Sequence, residues 1–180
     1  MSKKVNWGIL GCAMIAKVRT IPGLLQASNA KLYAVASRGT AKAEELKNMY
    51  GAEKAYGSYE ELLADEAVEA VYIPLPNTMH CEWVEKAARA GKHILCEKPL
   101  AIDEAEAKHM YEVCEENNVL LMEAFAYRHA PLIQKVKEII ESGTIGKVKY
   151  VESHLTDVLG DMGNIRMNNK LGGGAFYDMA

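Results

Sequence analysis

The sequence predicts an α/β protein whose larger part is a doubly wound parallel sheet. Three observations predict it: short apolar runs alternating with helical patterns, a small-residue turn directly after the first run, and short connections throughout. Apolar runs of this kind, bounded by turn residues, suit strands buried on both faces.

Val5-Asn6-Trp7-Gly8-Ile9-Leu10 is the first run, and Gly11 ends it. A helical stretch is expected from Met14, interrupted near Ile21-Pro22-Gly23 and resuming through Leu24, Leu25 and Ala27. Residues 32–37 form the second strand. Thr40 is expected to cap the next helix, with Glu44 and Glu45 in its early turns and Gly51 at its end. Residues 54–56 form a short third strand, and Ser58-Tyr59-Glu60-Glu61 reads as a capping box opening a small helix. The fourth strand, 68–73, is broken by Pro74 and Pro76; Asn77 or Thr78 is expected to cap a helix through Ala90 that Gly91 ends. Residues 93–96 form the fifth strand. Asp103 and Glu106 make a second capping box for a helix to Asn117, before a sixth strand over 120–126. Repeated β-α-β units with short links are the pattern of a Rossmann-type sheet.

The pattern changes near 127–147. A helix is expected over 131–141, with Leu132, Val136, Ile139 and Ile140 on one face. Residues 148–154 then alternate in the manner of an antiparallel strand rather than a buried parallel one. Two domains are therefore expected, 1–126 and the beginning of a second over 127–180. One strand makes no stable sheet alone, so further strands must come from elsewhere.

With 49% hydrophobic and 25% charged residues in 180, the chain has an ordinary globular composition. A net charge of −3 argues against nucleic acid or an anionic membrane as partner. No apolar run approaches the roughly 20 residues of a membrane-spanning helix. The N-terminal apolar run ends at Gly11, too early for a signal peptide, so a cytoplasmic location is expected. Cys12, Cys81, Cys96 and Cys114 lack metal-ligand spacing and read as reduced thiols; no metal site is expected.

The chemistry is expected outside the carboxyl ends of the strands, where open parallel sheets bind ligands. The turn Gly11-Cys12-Ala13-Met14-Ile15-Ala16 departs from G-x-G-x-x-G at its second and third positions. It still offers a tight turn and helix N-terminal amides that suit a pyrophosphate. Small residues between strand and helix without any ligand are the alternative. At the end of the second strand, an acidic residue would select NAD through the ribose hydroxyls; Ser37-Arg38 instead suits a 2′-phosphate, hence NADP over NAD. A solvated loop arginine is the alternative there. Pro74, Leu75, Asn77 and His80 end the fourth strand, where a stiff backbone can lie along the cofactor and two polar side chains can reach it, or can merely turn and cap. Lys98, in Cys96-Glu97-Lys98-Pro99-Leu100, is held extended by the following proline and aimed at the same crevice. A lysine there reads as a proton donor or carbonyl polariser, and Glu97 as a ribose acceptor or a partner for Lys98.

The ordered set Gly-x-Ala-x-x-Ala, Ser-Arg, Pro-Leu-Pro-Asn-Thr-x-His, Glu-Lys-Pro, Met-Glu-Ala-Phe-x-Tyr-Arg and Gly-Gly-Gly-Ala-x-x-Asp resembles the glucose–fructose oxidoreductase, inositol dehydrogenase and rhizopine-catabolism (Gfo/Idh/MocA) family over essentially the whole chain. The resemblance implies an N-terminal Rossmann domain and a C-terminal α+β domain with a mostly antiparallel sheet. It implies hydride transfer between NADP and a sugar, polyol or related carbonyl, in a homo-oligomer. By the same resemblance, Lys98 matches the family's catalytic lysine and Asp178 its active-site aspartate. Arg128 lies in the segment after the sixth strand, and Arg166 in a stretch whose arginine can approach cofactor or substrate. The family usually carries a tyrosine or histidine about one helical turn after the aspartate, and the sequence runs to Ala180. Alternatives to a complete enzyme are a catalytically incomplete NAD(P)-binding fragment and a non-catalytic binding module.

Overall fold

A computed structural model describes residues 3–156, 158, 160–161 and 163–175. Six parallel strands form one sheet: β1 (Val5–Leu10), β2 (Ala30–Ala36), β3 (Lys54–Tyr56), β4 (Ala70–Ile73), β5 (His93–Cys96) and β6 (Leu121–Glu123). Their spatial order is β3-β2-β1-β4-β5-β6, so the winding reverses between β1 and β4. A crevice opens at such a reversal, beyond the carboxyl ends of the strands.

The alternation of strand side chains explains the layers. Leu10, Ala34, Ala36, Val71 and Ile73 meet helices α3 (Tyr59–Ala64), α4 (His80–Arg89) and α5 (Glu104–Glu116) on one face. Ile9, Val35 and Tyr72 point the other way, toward α1 (Ile21–Gln26) and α2 (Thr40–Tyr50). Beyond those two helices, this second face is an open apolar groove of about 1030 Å³, lined among others by Trp7, Leu95, Met122 and Phe125.

Both capping boxes are present. Ser58 accepts from the Glu61 amide and Asp103 from the Glu106 amide, while the Glu106 carboxylate accepts from Ile102 N. Three expectations are corrected. Gly39, not Thr40, stands at the N-cap of α2, and no side chain caps that helix. Neither Asn77 nor Thr78 caps α4; a 3₁₀ turn, Asn77–Met79, runs straight into it, and Asn77 bonds elsewhere. Pro22 does not interrupt the first helix. It sits in the first turn of α1, where a missing N–H is harmless, and a π-helical turn, Ala16–Thr20, leads into it.

Past β6, a 3₁₀ turn (Ala126–His129) leads to α6 (Pro131–Glu141), which buries none of its residues. Residues 148–156 form no strand, against the expected strand over 148–154. An alternating segment becomes a strand only where a neighbour supplies the ladder, and none of the described residues does.

At the β3 edge, Asp65 ends α3 and accepts from Lys54 Nζ at 2.8 Å and from the Tyr56 hydroxyl at 2.6 Å. Desolvation pushes its carboxyl up, but these bonds and the Ala67 amide outweigh it and hold the group at about 2, below its ordinary 3.8. A carboxylate with a depressed folded-state value stabilises above its unfolded value and loses that contribution as pH falls through the folded one. Asp65→Asn is therefore expected to lower the urea midpoint near neutrality, with the gap to the parent closing as pH falls from 3.8 to about 2. A gap independent of pH would overturn this account.

Candidate active site

The crevice begins with a turn that only glycine makes easily. Gly11 has φ +108° and donates to Ala36 O at 2.8 Å, which ties the end of β1 to the end of β2. A β-carbon there would stand 3.0 Å from Leu75 Cδ2, so the bare backbone also lets the Pro74–Pro76 turn come close. Ala13, Met14 and Ile15 follow, opening the helical winding whose first amides have no partner within the helix. They line a cavity of about 560 Å³ together with Pro74, Leu75 and Asn77 beyond β4, and Glu97 and Lys98 beyond β5. Partly positive helix-start amides beside a lysine and a carboxylate suit an anionic, hydroxyl-bearing ligand such as a dinucleotide.

The Lys98 turn is held from several sides. Glu97 N donates to Ile73 O at 3.1 Å, and Leu100 N donates to Glu123 Oε1 at 2.8 Å. The Lys98–Pro99 peptide is cis. From beneath, the hydroxyl of fully buried Tyr72 donates to Glu97 Oε1 at 2.5 Å, and Glu97 Oε2 accepts from Lys98 N at 3.3 Å. Burial and then the carboxylate push the Tyr72 phenol far above its ordinary value, so it stays a donor. Tyr72 and Glu123 were not singled out from the sequence. The available signal was a tyrosine inside Ala-Val-Tyr-Ile, since a buried phenol needs a partner.

The opposite wall comes from the end of the chain: Asn164, Ile165, Arg166 and the glycine run Gly172–Gly174. Asn77 Nδ2 donates to Gly172 O at 2.8 Å, joining this wall to the β4 end. A β-carbon on Gly173 would lie 2.6–2.8 Å from the backbone oxygens of Ile165, Arg166 and Asn168, so that position admits no side chain.

The remaining expected residues fall in different places. Arg166 lines the cavity. Ser37 is buried, with its amide on Tyr56 O; Arg38 beside it is exposed at the end of β2, near enough to Tyr59 to offset part of the rise that burial gives that phenol. Both are one step from the Gly11 turn and outside the cavity itself. Cys12 points away, its thiol on Lys42 O. His80 does not face the crevice: it is fully buried, with Nδ1 2.8 Å from Pro99 O and Nε2 2.8 Å from Leu75 O, leaving no ring atom for a cofactor. Arg128 lines a separate depression with Glu123, His129 and Lys137, because the turn after β6 carries it to the outer edge of the sheet. Asp178 lies outside the described residues. Among the described residues, no cluster of His, Cys, Asp or Glu could hold a metal, and no helix is long and apolar enough to cross a membrane.

Tyr72→Phe keeps the ring but leaves the Glu97 carboxylate without its buried donor. It is expected to destabilise the protein by about 1.5 kcal/mol, the low end for a bond to a charged group because Glu97 keeps access to water. Urea unfolding measures this, and an unchanged midpoint would show that the bond contributes nothing.

Comparison with known proteins agrees with this geometry. Residues 5–125 match the model of the Gfo/Idh/MocA oxidoreductase family, NAD-binding Rossmann fold, and residues 133–180 match a Gfo/Idh/MocA C-terminal domain. D-xylose 1-dehydrogenase (NADP(+)) 2 of Haloferax volcanii is 44% identical over 96% of this chain and 53% of its own. The dTDP-3,4-didehydro-2,6-dideoxy-alpha-D-glucose 3-reductase of Actinomadura kijaniata is 38% identical over 97% and 52%. The crystal structure of KijD10, a 3-ketoreductase of the same organism in complex with NADP, superposes with a TM-score of 0.75 at 39% identity, covering 81% of this chain and 46% of that one. The chain thus spans about half the length of the curated relatives it matches. A family model that covers most of the chain, together with the six-stranded parallel sheet of the Rossmann fold it describes, places this chain in the Gfo/Idh/MocA oxidoreductase family.

Proposed function

We propose that this protein is an NADP-dependent oxidoreductase that moves a hydride between nicotinamide and a sugar, polyol or related carbonyl. One observation carries the reading: Lys98 lines the same cavity as the helix-opening residues Ala13, Met14 and Ile15. When bound, nicotinamide supplies the hydride donor or acceptor. The chain's own residues do the rest. The amides opening the first helix hold the pyrophosphate, and Arg38 with Ser37 takes the 2′-phosphate. Pro74, Leu75 and Asn77 lie along the cofactor, and Glu97 accepts from a ribose hydroxyl. Lys98 holds or relays the proton on the substrate oxygen, and Asp178 orients the substrate. Arg166 approaches cofactor or substrate from the opposite wall.

The relatives' names support the substrate class: a xylose dehydrogenase that uses NADP(+) and a ketoreductase of a dTDP-sugar. We divide the chain into a cofactor domain, 1–126, and the start of a substrate domain, 127–180. Homo-oligomeric assembly, as the family resemblance implies, and a cytoplasmic location belong to the same reading. A second reading, a cofactor-binding piece without turnover of its own, is favoured by the chain's covering about half of its relatives.

Calorimetric titration with NADPH and with NADH tests the cofactor. NADPH is expected to bind more tightly, and Arg38→Ala to weaken it about tenfold, the loss of a charge-assisted contact, while NADH changes less. Equal loss for both nucleotides would overturn the role of Arg38. Lys98→Met is expected to lower turnover by orders of magnitude, about 10²-fold or more, with NADPH affinity largely kept. Unchanged turnover would remove Lys98 from the chemistry, and binding without turnover in the parent chain would select the second reading.

A further inference from the structure

His80 is buried where neither cofactor nor water reaches it, yet both of its ring nitrogens are occupied. Nδ1 stands 2.8 Å from Pro99 O and Nε2 2.8 Å from Leu75 O. Both partners are carbonyl oxygens, which only accept. An imidazole N–H donates to a carbonyl, so the ring is bonded to one of these turns and seated directly against the other.

The two carbonyls belong to the two turns that flank the crevice. Leu75 lies in the Pro74–Pro76 turn and packs against Gly11; Pro99 directly follows Lys98. His80 itself is the first residue of α4, a helix packed into the core. One rigid ring thus spans from the turn at the dinucleotide side to the turn that carries the lysine.

We propose that His80 is a positioning residue: its ring, seated between the Leu75 and Pro99 carbonyls, straps the Leu75 turn to the Pro99 turn and so sets the place of Lys98 relative to the cofactor wall. The positioning role rests on the reading of Lys98 given above. The strap itself is tested without cofactor or turnover, so its failure and the failure of that reading are separate results.

The experiment is amide hydrogen exchange, followed by NMR, in the parent and in His80→Phe. In His80→Phe, the amides of Lys98 and Leu100 are expected to exchange about tenfold faster, while those of Val71 and Ile94 in the sheet stay within about twofold, as for a local opening. Unchanged exchange at Lys98 and Leu100, or acceleration of all four together, would show a ring that fills space rather than one that positions. If the phenylalanine variant does not fold, His80→Gln, which keeps a side-chain donor too short to span both carbonyls, carries the same comparison with the same two outcomes.

Discussion

The reversal of winding between β1 and β4 is the constraint on which the rest depends. Leaving β1, the chain packs its helix on one face of the sheet; leaving β4, it packs the next on the other. No element can then cover the strand ends between them, and the backbone groups there must find partners or a ligand. The Gly11 turn and the Pro74–Pro76 turn lie at that parting, and the Lys98–Pro99 turn stands one strand further along, on the same crevice. Their closeness is a product of topology, since some 60 residues separate the first from the second in sequence.

Topology brings the turns together, but it does not fix them. Fixing falls to a small polar lattice under the crevice floor: Tyr72 on Glu97, Glu123 on Leu100 N, and His80 between Leu75 and Pro99. Its members come from β4, β6 and α4, elements whose own places are set by the apolar core. The rigidity of the core is thereby passed to a lysine that is itself only half-buried. Asn77, through Gly172, extends the same principle to the far wall.

Much of this was legible in the sequence. Six strands and their order of appearance follow from apolar runs punctuated by glycine and proline, and two capping boxes were readable from spacing alone. The cavity-lining residues at the ends of β1, β4 and β5 were legible because they follow strands. What escaped was the direction in which a side chain points. His80 and Asn77 both follow the same strand, yet His80 bonds within the core and Asn77 bonds to the far wall, a difference set by the tertiary partners each side chain meets rather than by spacing. Arg128 was misplaced for a similar reason, since one 3₁₀ turn after β6 rotates it to the outer edge. The strand expected over 148–154 depended on neighbours that the pattern of a single segment cannot supply.

Gly173 stands with three backbone oxygens closer to its missing β-carbon than any real contact permits. Every single-base change in a glycine codon that replaces glycine with another amino acid adds at least a β-carbon. None of the three oxygens can withdraw alone, because each already accepts from a backbone amide: Ile165 O from Asn168 N, Arg166 O from Gly174 N and Asn168 O from Gly173 N. The position is therefore a dead end for gradual change. Diversity in this wall has to arise at the neighbouring side chains Ile165 and Arg166, which line the cavity, since the Asn164 side chain accepts from Arg166 N and is itself part of the frame.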